Sequence, residues 1–130
     1  MSIEHTGVYV KNFEKSKRFY SAALKPLGYK NNMNFPGAAG FMEGGHTSFW
    51  ITKKPHKDRL HVAFLGKSMR AIQDFYKAAL KAGGKDNGAP GFRVEYGPDY
   101  YAAFVLDPDG HNIEACYFGA RAPGTKGKKK

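Results

Sequence analysis

The chain has 130 residues, 15% of them aromatic, with 21 Lys and Arg against 11 Asp and Glu for a formal charge of +10. That length suits one domain with one shared core, and no apolar run approaches the ~18 residues of a membrane-spanning helix. Half of the charge excess, from Arg121, Lys126, Lys128, Lys129 and Lys130, sits on residues 119–130. That stretch of Pro, Gly and Lys has nothing to bury, so the expectation is a disordered basic tail behind a single domain of residues 1–118.

The tail lacks interleaved aromatics, which tells against nucleic acid as a partner. The field of the moderately basic body suits a neutral or anionic small-molecule substrate. Cys116 is the single cysteine. It excludes an intrachain disulfide and fits a reducing, cytoplasmic setting. Glu4 and His5 stand where a signal peptide would carry its basic and apolar regions, so none is expected.

In chain order, EHTGVYV alternates as a half-buried strand with His5, Gly7 and Tyr9 on one face. Asn12 can cap a helix whose apolar positions, Phe19, Tyr20, Ala23 and Leu24, follow helical spacing until Pro26 and Gly28 end it. Residues Tyr29 to Gly45 read as short strands and turns, and SFWIT as a strand carrying Trp50. HVAFL is the next strand, with His61, Ala63 and Leu65 on one face. Ser68 then caps a helix with the stripe Ile72, Phe75, Tyr76, Ala79 and Leu80. The segment DNGAPGFRVEYGPDY reads as irregular; YAAFVL and NIEACYF are strands joined by a turn at DPDG. Alternation predicts Tyr9, Trp50, Ala63, Tyr101, Ala103 and Cys116 on one shared face. His46, His56 and His111 lie in turn-like sequence and are expected to face solvent.

The two halves repeat. A shift of 56 residues lays Phe19, Tyr20, Ala22, Ala23, Leu24, Lys25 and Gly28 on Phe75, Tyr76, Ala78, Ala79, Leu80, Lys81 and Gly84, and His5 on His61. The repeat unit is therefore larger than a helix. It gives a first module over residues 1–55 and a second over 58–118, each a strand, a helix and two or three further strands.

With the strand-opening histidines of HTGVYV and HVAFL and the segment LDPDGHNIEA, the chain resembles the vicinal oxygen chelate superfamily. That group contains glyoxalase I, fosfomycin-resistance proteins, bleomycin-binding proteins and extradiol dioxygenases. His111 stands where the superfamily's LDPDGNxIEL pattern has Asn. The resemblance implies an α+β fold of two tandem βαβββ modules whose curled sheets form a cup. It places metal ligands at His5, His61 and Glu114, a 2-His-1-carboxylate set suited to Zn, Ni, Mn or Fe.

Taken singly, each of these residues has a plainer reading. A lone strand histidine is more often a hydrogen-bonded core residue, and Glu114 can pair with Arg93 or Arg121. The fourth ligand and base of glyoxalase I would fall on Trp50, or on Phe49 with a turn one residue different. Neither binds a metal or takes a proton, and Glu43, before the Gly44–Gly45 turn, is a poor substitute.

The resemblance implies a metal-dependent lyase, transferase or isomerase acting on a small oxygen-chelating substrate, and not glyoxalase I itself. Tyr101 or Tyr96 would donate a proton or hydrogen bond, and Arg93 would orient an anionic substituent. Tyr9, Trp50, Tyr96, Phe104 and Cys116 would line the pocket, Cys116 as an inert thiol. The alternatives are a metal-free binding protein of the drug-resistance kind and an extradiol-type Fe(II) dioxygenase. A homodimer in which two chains complete each cup is expected.

Overall fold

The two halves each form one four-stranded sheet backed by one helix in the computed structural model, which describes residues 3–123. In the first module, β1 (Thr6–Val10) leads into α1 (Phe13–Ala23), a 3-10 turn (Lys25–Leu27), β2 (Lys30–Phe35), β3 (Ala38–Glu43) and β4 (His46–Lys53). The second repeats the plan with β5 (His61–Leu65), α2 (Met69–Lys81), β6 (Lys85–Phe92), β7 (Tyr101–Leu106) and β8 (Asn112–Tyr117). The sheet orders are β1-β4-β3-β2 and β5-β8-β7-β6. In each, the first strand runs parallel to the last while the remaining pairs are antiparallel. This is the α+β arrangement of two βαβββ modules.

Local chemistry sets the helix starts. Asn12 accepts the Lys15 N–H at 3.1 Å, and Ser68 accepts the Ala71 N–H at 3.0 Å, each satisfying a donor that the first helical turn leaves unpaired. Both helices bury the stripe that the spacing predicts: Phe19, Tyr20 and Ala23 from α1, and Ile72, Phe75 and Ala79 from α2. They press it onto alternate residues of the sheets, including Val8, Phe41, Phe49, Ile51, Phe64, Val105 and Ile113, in one continuous core. Phe49 and Phe64 cross between the modules edge to face, ring centres 5.0 Å apart. Burying each such ring stabilises the fold by about 2–3 kcal/mol, so neither half is expected to persist without the other.

The segment expected to be irregular contains all but the first residue of β6, a strand of eight residues despite Gly88, Pro90 and Gly91. Its pairing with β7 slips twice, between Asp86 and Gly88 and between Gly88 and Gly91. These bulges accommodate residues that regular strands disfavour.

His56 and His111 are also unlike the expectation, for His111 is buried and the His56 side chain is only 3% exposed. The DPDG turn docks against the end of β1. Asp107 Oδ1 accepts the Asp109 and His111 N–H groups, at 2.9 and 2.8 Å. Its Oδ2 accepts the Tyr20 hydroxyl at 2.5 Å. Burial first, and then the Asp107 carboxylate, raise the Tyr20 phenol well above its ordinary value, so it stays a donor. Asp109 accepts the Lys11 N–H at 3.0 Å and lies 2.9 Å from His56 Nε2. His111 accepts the Leu60 N–H through Nδ1 at 3.0 Å and reaches the Tyr9 carbonyl through Nε2 at 2.9 Å. The two imidazoles stack, 5.3 Å apart. This buried polar lock fixes the second module against the first. His46 is exposed as expected, its Nε2 2.6 Å from the Glu4 carbonyl oxygen.

Of the basic tail, the described part shows Ala122 buried with its N–H donated to the Pro98 carbonyl at 2.9 Å. The expectation of disorder for residues 124–130 falls outside the described residues.

Candidate functional site

Strand register decides which side chains face away from the helices. In the second sheet Ala63 is paired with Glu114, and Phe104 lies opposite Glu114 on the other side. His61, Ala63, Leu65, Phe104, Glu114 and Cys116 therefore share the open face. Tyr101, Ala103 and Val105 pair with Tyr117, Ala115 and Ile113 and face the core instead. The shared face expected for Tyr101 and Ala103 is thus not formed. Tyr101 is buried, packs edge to face on Phe92, and accepts the Gln73 amide from α2 at 3.0 Å.

The residue before it takes the place facing Glu114. Tyr100 donates its hydroxyl to Glu114 Oε2, while His61 Nε2 lies 2.8 Å from Glu114 Oε1. The Glu114 side chain is only 2% exposed, whereas His61 is 53% exposed, so the pair is a buried carboxylate reached through an open imidazole. Burial first, and then the adjoining carboxylate, hold the Tyr100 phenol protonated well above its ordinary range. Tyr100 also packs against Tyr96 and Phe118, with ring centres 5.4 and 4.9 Å away. The sequence signal for Tyr100 was available. It has the parity of Ala102 and Phe104, the side that carries Glu114.

Arg93 is on this side but does not pair with Glu114. Its guanidinium lies over Phe104 and donates to the Gly91 and Ala89 carbonyls at 2.9 and 2.8 Å. The Phe104 ring in turn lies 6.3 Å from the His61 ring. Cys116 is buried, with Sγ 3.7 Å from the Phe64 carbonyl oxygen. Burial and then the Glu114 charge push its thiol up to about 11, which makes it unreactive at neutral pH.

In the first sheet, Gly7 is paired with Trp50 as Ala63 is paired with Glu114, so Trp50 occupies the position equivalent to Glu114. The equivalence fails chemically. Trp50 stacks on the exposed ring of Phe35, 6.2 Å away and 22° from parallel. The backbone makes room with glycine. A Cβ at Gly7 would lie 2.6 Å from the Trp50 carbonyl oxygen, and one at Gly40 2.9 Å from the indole. His5, Tyr9, Trp50, Thr52 and Leu60 line one groove. His61 opens onto another with Thr6, Tyr29 and Ser48. Glu43, at the end of β3, lies 3.5 Å from Lys67.

The structure brings His61 and Glu114 together and leaves His5 beside Glu4, Nδ1 2.5 Å from its carboxylate. Among the described residues no three His, Cys, Asp or Glu side chains converge as a metal site. The second-module pair offers an imidazole nitrogen and a carboxylate oxygen, donor types that a divalent transition metal takes.

Paired βαβββ modules, each opening on a histidine, define the class. The sequence matches the Glyoxalase/Bleomycin resistance protein/Dioxygenase superfamily over residues 2–115, and the chain belongs to that family. It resembles a glyoxalase/bleomycin resistance protein from Albidiferax ferrireducens T118, with 30% identity, TM-score 0.74, and coverage of 88% of this chain and 96% of that one. The fold is shared with a family enzyme from Burkholderia phytofirmans PsJN, 14% identical, with TM-score 0.70 and coverage of 91% and 99%. It is shared too with hypothetical protein SA1046 from S. aureus, 21% identical, with TM-score 0.66 and coverage of 90% and 95%. No curated protein matches this chain. No helix among the described residues is long and apolar enough to cross a membrane.

Proposed function

We propose that the protein is a metal-dependent lyase, transferase or isomerase acting on a small oxygen-chelating substrate, with each site shared between two chains. The observation that carries this reading is the His61–Glu114 pair, two convergent donors with no third among the described residues of their own chain. In an isologous dimer the partner's His5 completes the set. Exposed apolar side chains on the open faces support such pairing: Phe35, 57% exposed, in the first module, and Leu65 and Tyr96, each 67% exposed, in the second.

A divalent metal bound there would supply Lewis-acid polarisation of substrate oxygens. The chain's own residues do the rest. Tyr100 and the surrounding rings hold the Glu114 carboxylate in place, as outer hydrogen bonds do for metal ligands generally. Phe104 supplies an apolar wall beside His61. Arg93 can turn from its backbone acceptors to a carboxylate or phosphate-like group, and Tyr96 sits at the rim as a hydrogen-bond donor.

A second reading has an observation of its own. Glu114 already has a partner on each oxygen, His61 and Tyr100, so the pocket is electrostatically complete as a metal-free binding site.

Co-expression of His5→Ala and Glu114→Gln chains separates the readings. Each variant alone should bind no stoichiometric Zn(II), Ni(II), Mn(II) or Fe(II). The mixed dimer should recover one intact site and about half of the wild-type metal content and thermal shift, since subunit-bridging sites sort the two lesions into one site. Absence of metal binding in tag-free wild-type protein favours the metal-free reading; absence of recovery in the mixed dimer overturns the shared site.

A further inference from the structure

The charge of the folded part is not distributed over its surface. Up to Phe118 the chain carries sixteen Lys and Arg against eleven Asp and Glu, an excess of five. The helices and their adjoining turns, residues 13–27 and 69–84, hold seven basic residues and two acidic ones, which is the same excess of five. The sheets and remaining loops are balanced at nine of each. The whole net charge of the body therefore lies on the helix layer, on the opposite side of the sheets from His61 and Glu114.

Between α1 and α2 runs a groove with Lys15, Arg18 and Lys81 on its rims and Ala22, Ala78 and Ala82 on its floor. Arg70 with Asp74 is the ion pair of this layer among the described residues, so none of the three rim cations is held in an ion pair there. We infer that this groove docks an acidic amphipathic helix of a partner protein. The rim selects negative charge, and the small-residue floor lets a helix approach closely and bury an apolar ridge.

Other occupants fit less well. The chain's own terminal residues are basic and are repelled, and a second copy presenting the same face brings the same sign. A phosphate backbone neutralises the rim but leaves the alanine floor against water.

The test measures binding of a fluorescein-labelled synthetic peptide, Leu at helical i, i+3, i+4 spacing with Glu elsewhere, by anisotropy at physiological ionic strength. Lys15→Glu, Arg18→Glu and Lys81→Glu together should weaken binding by about tenfold or more. Equal reversal at Lys53, Lys54 and Lys57 should change it by less than about twofold, because the attraction is local within a Debye length. Ala78→Gln, which fills the floor without altering charge, should weaken it by about fivefold. All variants should keep the wild-type melting temperature; the corresponding triple Gln variant serves if the reversed one unfolds. Equal losses in the two reversals would reduce the groove to non-specific attraction and overturn the proposal. So would a scrambled peptide of the same composition binding as well, or duplex DNA displacing the peptide without sensitivity to Ala78→Gln.

Discussion

The first and second modules share a backbone plan, a capped helix and a histidine at the head of the first strand, yet they present different chemistry on their open faces. At one matched position the second module has a buried carboxylate held by His61 and Tyr100, and the first an indole stacked on Phe35. The partner strand differs accordingly, with Ala63 in one module and Gly7 in the other. A duplicated fold preserves strand register because the shared core enforces it. The open faces are not so constrained, and one module has a histidine–glutamate pair where its counterpart has an aromatic shelf.

The sharpest way to break this comparison is to exchange the small residues. Gly7→Ala places a methyl group against the Trp50 backbone, which cannot yield as a side-chain tip would, and should cost about 1–3 kcal/mol in urea unfolding. The reciprocal Ala63→Gly should cost only about 0.5–1 kcal/mol, through backbone entropy. Equal losses would mean that the two strand pairs are equally spaced.

Trp50→Glu tests the chemistry of the same position. It gives up the Phe35 stack, roughly 1 kcal/mol, and adds a carboxylate beside the His5 groove. Divalent-metal binding, measured by titration calorimetry, should tighten by about tenfold, roughly 1.4 kcal/mol. The wild type should leave methylglyoxal and glutathione unconverted. Turnover by wild type would show that the fourth ligand is dispensable.

The smallest effect concerns Cys116, which lies beside the carboxylate of the second module. Its folded thiol titrates at about 11, above the ~8.5 of an unfolded thiol. The stability contributed by this raised value is therefore complete below ~8.5 and is lost as pH rises through about 11. Iodoacetamide should label the native protein slowly at pH 8 and faster as pH approaches that value. Denatured protein should react readily near the unfolded pKa. Rapid native labelling at pH 8 would mean that the thiol is neither buried nor held up by Glu114.

Much of the fold was legible because it is written in local chemistry. Asn12 and Ser68 stand as caps before apolar stripes, and HVAFL is bounded as a strand where it occurs. Strand β6 was not legible, since Gly88, Pro90 and Gly91 argue against a strand and only the bulged pairing with β7 sustains it. Some of the contacts on the open faces were legible. His61 and Glu114 do meet, and the equivalence of Trp50 with Glu114 holds in the register. Tyr101 faces the core rather than the open side, because alternation along β7 gives two faces without saying which meets the helix. Its neighbour Tyr100 is the partner of Glu114.

The sequence by itself determined the duplicated modules, the helix boundaries and the residue types able to bind a metal, since these depend on spacing, capping and side-chain chemistry along the chain. Only the tertiary structure decided which strand faces meet the core, that His56 and His111 lock the DPDG turn against β1, and that His61 and Glu114 converge while His5 opens a separate groove. Those outcomes depend on cross-strand register and on the docking of one module against the other. Both are set by contacts between residues far apart in sequence, which no local pattern encodes.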